Sequence, residues 1–388
     1  MTAVQAHGPT GSAVARTGFD RLLGVDAVRG IALLGVFVMH FQVTGWWHAG
    51  PPDATPEALV WVQQHTSSRA MSLFVLLAGL SVALMTGGPR PYTGMRMARA
   101  RLRVLVRAAV LLLIGLCVAQ FAIPSVLEYY AVLLILLVPF TALRVRTLAV
   151  LATAAVPAVT LYAVWMFNRH ADFMRMSPPQ GLEILVRPDR WGDYLDALVL
   201  FGGGFQTIYG IPLVLAGLAI GRSDLRNQIT QRRMAVAGSA LAGGAWLLSR
   251  LADRMFAADT AALDTPPSAR DLLRMPGPSS LYATSAVGIV LMIGLALLLV
   301  AVLSAALDHV RMRRLAWPLV ATGSMTLTWY VGHLFFLRLI GPDALFSFAG
   351  FVGLVALVLA VSALVRLWCR RGPLEWLVHR AITAVVRP

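Results

Sequence analysis

Asp26, Arg29 and His40 are polar residues in an otherwise apolar stretch of 388-residue chain. Asp26 and Arg29 are spaced i,i+3, so on a helix they share one face and can pair. His40 follows Arg29 by eleven residues, about three helical turns, and falls on nearly the same side. Ionisable groups at membrane depth are costly to bury, which makes each a candidate for chemistry. An imidazole there can deprotonate an attacking hydroxyl or amine, or be acylated itself. The plainer alternatives are an ion pair at a helix start and a packed, hydrogen-bonded histidine.

Other polar residues border apolar runs in the same way. Arg69 opens the second run and can hold a carboxylate or phosphate, or extend to the interface. Glu128, beside Tyr129 and Tyr130, opens the fourth and can orient a histidine or bind an amine; an acid at an aromatic belt is the alternative. Trp329, Tyr330 and His333 fall within about one turn of each other. Aromatic anchoring accounts for the first two but not for the histidine. The chain has no Walker loop, no dinucleotide glycine fingerprint, and no His-x-x-x-His or Cys-x-x-Cys pattern, so no metal is expected. Cys117 and Cys369 imply neither a disulfide framework nor a thiolate site.

The elements that must position these residues are membrane helices. The chain is 58% hydrophobic and 13% charged, with mean hydropathy +0.73, whereas a soluble protein is about 25% charged. Runs long enough to span lie near 27–47, 69–87, 104–123, 127–143, 147–167, 205–221, 234–252, 281–307, 318–339 and 347–368. Segment 193–206, with Asp193, Asp196 and three glycines, reads as an interfacial helix or a broken extension. We therefore expect an all-α, polytopic bundle of about ten transmembrane helices, an uncleaved first span, and cytoplasmic N- and C-termini. In that orientation 23 of the 33 arginines face the cytoplasm and 10 the outside, as the positive-inside rule requires. The formal charge of +15 then reflects topology, and nucleic acid is not an expected partner. The expected divisions are a cytoplasmic tail 1–24, a membrane domain 25–369 and a cytoplasmic tail 370–388.

The stretch Leu23 to His40, with Asp-x-x-Arg-Gly at Asp26–Gly30, resembles the opening helix of a superfamily of membrane acyltransferases. Arg29 and His40 are similar in spacing to the Arg, ten residues, His of bacterial enzymes that O-acetylate surface sugars. The Asp-x-x-Arg-Gly start resembles the heparan-alpha-glucosaminide N-acetyltransferases. Gly323-Ser-Met-Thr-Leu-Thr-Trp-Tyr330, His333 and Gly372-Pro-Leu-Glu-Trp-Leu377 resemble the YeiB-like membrane family of the same superfamily. Many YeiB-like members have asparagine at the place of His40. Residues 150–320 match in hydropathy alone.

The resemblance implies acyl transfer from cytoplasmic acetyl-CoA, a co-substrate, to an extracytoplasmic sugar or glycan, with the bilayer as environment. Arg29 would position the donor or stabilise oxyanion charge, with Asp26 beside it. A histidine would be base or acetyl carrier: His40 first, then His48 or His65, since the glucosaminide enzymes use one in the loop after this helix. Arg90, Arg96, Arg99, Arg101 and Arg103 are candidates for the CoA phosphates, or for anionic headgroups. Arg69, Glu128, Tyr130, Trp329, Tyr330 and His333 are candidates for the acceptor site. A cell-membrane, multi-pass location follows, and the sequence leaves room for a homo-oligomer. The rival reading is a transporter or exporter of a small or lipid-linked metabolite.

Overall fold

The computed structural model describes residues 22–40, 57–121, 125–169, 180–199, 204–255, 285–340, 348–369 and 371–386. Every regular element among them is helical: α1 (Leu23–His40), α2 (Glu57–Met85), α3 (Gly94–Ala119), α4 (Leu127–Leu137), α5 (Val145–Arg169), α6 (Trp191–Val199), α7 (Gly204–Gly221), α8 (Gln228–Met255), α9 (Ala286–Ala306), α10 (Val310–Leu315), α11 (Trp317–Gly323), α12 (Thr326–Ile340), α13 (Phe348–Trp368) and α14 (Pro373–Val385), with three short 3-10 turns.

Among the described residues, six helices are long and apolar enough to cross a membrane: Leu23–His40, Gly94–Ala119, Val145–Tyr162, Gln228–Ala252, Ala286–Ala306 and Ala349–Trp368. Arg69–Met85, Leu127–Ala142 and Thr207–Gly221 are shorter apolar helices. The span expected at 318–339 is two helices, α11 and α12, separated by Ser324 and Met325. Segment 193–206 contains a separate helix, α6, with Asp193 and Asp196 exposed. The segment expected as the C-terminal tail contains α14.

Local chemistry sets several of these ends. Ser285 Oγ accepts the Gly288 N–H at 2.8 Å and caps α9. Pro139 closes α4 into a 3-10 turn, Val138–Ala142. Pro318 and Pro373 lie in the first turns of α11 and α14, where a missing N–H leaves no helical bond unmade.

The α1 span is 61% buried and that of α13 only 17%, so α1 is central and α13 faces outward. Large apolar side chains are exposed on α5, α8 and α13, among them Leu161, Trp246, Leu357 and Leu367. Such a surface suits lipid. With lipid outside, close packing rather than water exclusion must hold the helices together. α2 and α7 approach through Gly79 and Gly217, where an added Cβ would run into the Val214 and Leu76 carbonyls respectively. α1 packs on α2, α9 and α11.

Buried Arg222, just past α7, ties the arginine-rich end together. Its Nη1 donates to the carbonyls of Ala83 (3.0 Å) and Gly88 (2.7 Å), and its Nη2 to Thr86 Oγ1 (2.6 Å) and the Thr141 carbonyl. The turn it grips needs Gly87, whose φ is +110°.

Candidate active site

Asp26 and Arg29 pair as their spacing implies. Arg29 Nη1 donates to Asp26 Oδ1 at 2.8 Å, and Nη2 to Ser81 Oγ at 2.6 Å, so α2 shares the ion pair. The Ser81 hydroxyl donates to the Leu77 carbonyl at 2.6 Å. Ser81 is a small residue in the interior of α2, and its link to Arg29 across 52 positions has no sequence signature.

Eleven residues on, at the far end of α1, His40 meets His333 of α12. His40 Nδ1 lies 2.8 Å from His333 Nε2. The ring centroids are 5.0 Å apart with planes 25° from parallel, the geometry of two rings meeting nearly head-on at their nitrogens. Phe37 (4.8 Å) and Tyr330 (5.4 Å) flank the His333 ring, and His333 is 1% exposed. The sequence offers both histidines as separate candidates; the fold makes them a pair.

A cavity of about 70 Å³ is lined by Arg107 and by Tyr330, the neighbour of the His333 ring. Its walls are mainly apolar side chains of α2, α3, α4 and α12, with Arg107, Tyr129, Tyr130, Thr326 and Tyr330 as the polar residues. Tyr330 stands between the cavity and the histidine pair, its hydroxyl accepting the Val126 N–H at 3.1 Å. Tyr130 donates its hydroxyl to the Phe74 carbonyl at 3.1 Å.

Arg107 is the cavity's cation. Arg29, Tyr130 and Glu375 are within electrostatic reach of it. Glu375 is already engaged by two backbone N–H groups of α12 and the Thr328 hydroxyl, and Arg29 by Asp26. Among the described residues Arg107 donates no hydrogen bond. In the sequence Arg107 reads as one more of the arginines that set the topology. Its signal was position, because it lies inside the apolar run 104–123.

The arginine cluster of α3 divides by helical face. Arg96, Arg99, Arg103 and Arg107, spaced three, four and four residues apart, share one face. Arg96 and Arg99 are exposed, Arg103 is half-buried, and Arg107 reaches the cavity. Arg101 points elsewhere, its Nε donating to Thr141 Oγ1 at 3.0 Å. Arg90 is exposed in the turn before α3.

The remaining candidates are dispersed. Trp329 donates its indole N–H to Ser362 Oγ of α13 at 2.7 Å. Glu128 is buried at the start of α4, beside Gly115 of α3 and facing Tyr194 of α6. Arg69 is half-buried in α2. His65 lies on α2, with its side chain outside the described set, and His48 lies outside the described residues altogether.

The family model described as heparan-alpha-glucosaminide N-acetyltransferase, catalytic, matches residues 21–252. Comparison with curated proteins gives no match. The matched stretch carries Asp26, Arg29, His40, Ser81, Arg107 and Tyr130; His333 and Glu375 lie beyond it.

Proposed function

The chain belongs to the heparan-alpha-glucosaminide N-acetyltransferase family, and from that premise we propose that this multi-pass membrane protein transfers an acetyl group from acetyl-CoA, entering at the arginine-rich end, to a sugar or glycan at the histidine end. The observation that carries the reading is Arg107, a guanidinium with no hydrogen-bond partner among the described residues, lining an apolar cavity. A half-buried cation against apolar walls favours an anionic or strongly hydrogen-bonding ligand. The arginine face of α3 leads from the exposed helix end to that cavity, as the phosphates of a CoA thioester would require.

The excess of arginines supports a cytoplasmic location for this end. His40 lies about 16 Å along α1 from Arg29, at 1.5 Å per residue, a length that an extended acyl-pantetheine arm covers. The acceptor hydroxyl or amine attacks the thioester carbonyl while His40 Nε2 takes its proton. The new C–O or C–N bond forms, the C–S bond breaks, and the thiolate of CoA recovers the proton from His40. Arg107 and Arg29 lie on the donor side and offset its negative charge.

Calorimetry of the detergent-purified protein with acetyl-CoA, and with CoA for comparison, tests this. Saturable binding is expected, weakened about 10- to 100-fold by Arg107→Leu, since a hydrogen bond to a charged group is worth roughly 1.5–3 kcal/mol. His40→Ala keeps the binding and loses the transfer. Absence of binding by a folded sample, or full transfer by His40→Ala, rejects the proposal.

A further inference from the structure

We infer that His333 is the positioning residue of the histidine pair, and that the Trp329 carbonyl, acting through it, leaves Nε2 of His40 as the bare nitrogen. The inference rests on the reading of His40 as the base and adds what makes it one.

The tautomers follow from the partners. His333 Nδ1 lies 3.1 Å from the Trp329 carbonyl oxygen. A carbonyl only accepts, and its second lone pair is available beside the helical bond, so Nδ1 of His333 carries the proton. A neutral imidazole has one such proton, and Nε2 of His333 is therefore an acceptor. That nitrogen faces Nδ1 of His40 at 2.8 Å. Two lone pairs would repel at this distance, so His40 donates from Nδ1 and its Nε2 is left bare. Among the described residues neither ring has a carboxylate as a hydrogen-bond partner.

The arrangement is held from three sides. Phe37 and Tyr330 fix the His333 ring. Trp329, which supplies the carbonyl, is anchored to α13 through Ser362. Glu375 caps the first turn of α12, the helix bearing both residues. When Nε2 of His40 accepts the acceptor's proton, the ring becomes cationic and its Nδ1–H bond to His333 becomes charge-assisted. His333 neither touches the reacting atoms nor gives up a proton. It acts on the reaction through His40.

The tautomer can be read without turnover, by nitrogen NMR of the full-length protein labelled with ¹⁵N-histidine, the His40 signals being assigned by their loss in His40→Asn. Nδ1–H with bare Nε2 is expected for both rings. His333→Leu should shift His40 toward the Nε2–H form and lower kcat about 100-fold, leaving KM for acetyl-CoA unchanged. His333→Gln places an amide oxygen near the lost Nε2, and should keep the Nδ1–H form and kcat within about 10-fold of the parent. An Nε2–H tautomer of His40 in the parent protein overturns the inference, as does His333→Leu with tautomer and kcat unchanged. Should His333→Leu fail to fold, the parent tautomer and the glutamine variant still decide. A parent protein with the expected tautomers but no acetyl transfer would reject the acyltransferase reading and leave the relay standing.

Discussion

Glu375 and Thr328 lock α14 onto the first turn of α12: Glu375 Oε2 accepts the Thr328 hydroxyl at 2.6 Å, and Thr328 Oγ1 in turn accepts the Leu374 N–H at 3.1 Å. The other carboxylate oxygen accepts the N–H groups of Leu327 (2.7 Å) and Thr328 (3.2 Å). These N–H groups have no partner within the helix, and a carboxylate satisfies them while complementing the helix dipole. The Gly-Pro-Leu-Glu stretch thus holds the helix that carries Tyr330 and His333.

Glu375→Ala should therefore destabilise the protein by about 1–2 kcal/mol, the usual worth of an N-terminal cap, and lower kcat through the displaced α12. Glu375→Gln keeps an acceptor without the charge and should fall between the two. Thermal unfolding in detergent together with acetyl transfer measures both effects. Unchanged stability in Glu375→Ala would mean that α12 is positioned by other contacts.

Gly323 ends α11 against α1, and a Cβ there would overlap the Asp26 carbonyl and crowd the Gly30 nitrogen. Gly30 in turn meets the Leu319 carbonyl, though less closely. Backbone cannot yield as a flexible side chain can. Gly323→Ala should cost about 1–3 kcal/mol and tilt α1, misplacing Arg29. A lowered melting temperature with weakened acetyl-CoA binding is the expected pair of results. Lower stability with unaltered binding would separate the packing from the site.

The parts of this site legible in the sequence are those written in local spacing. Asp26 and Arg29 declare their pairing because i,i+3 residues on a helix are neighbours whatever the fold. The all-helical, membrane-spanning character was legible because lipid imposes length and apolarity on a span, but the break at Ser324 and Met325 inside the apolar run 318–339 was not. Contacts across the bundle were not. His40 and His333 are separated by 293 positions, and nothing in either helix specifies which face meets the other. The Gly323 and Glu375 stretches were visible as a resemblance, but their work, a close helix crossing and a helix cap, depends on elements remote in sequence. Arg107 was obscured by its neighbours, because a run of arginines reads as a topology signal until burial divides it by face.

The turn after the 170–179 stretch offers a test of pH dependence away from the bundle. Glu183 accepts the Gly181 N–H at 2.9 Å and the Gln120 side-chain amide at 2.9 Å. Its own backbone N–H, that of Gly181 and the Gln120 amide hold its carboxyl below the ordinary carboxylate range. A carboxyl with a lowered folded-state pKa contributes stability above its unfolded value, and that contribution is lost as pH falls through the lowered one. The same turn is closed by Trp191, whose indole N–H donates to the Ile184 carbonyl at 2.7 Å. Hydrogen–deuterium exchange of the 180–190 amides should therefore be slower in the parent than in Glu183→Gln at neutral pH. After correction for the intrinsic pH dependence of exchange, the difference should close on the acid side of about pH 4.3, the unperturbed glutamate value. Equal protection in the two proteins at neutral pH would show that the turn is held by Trp191 and its backbone alone.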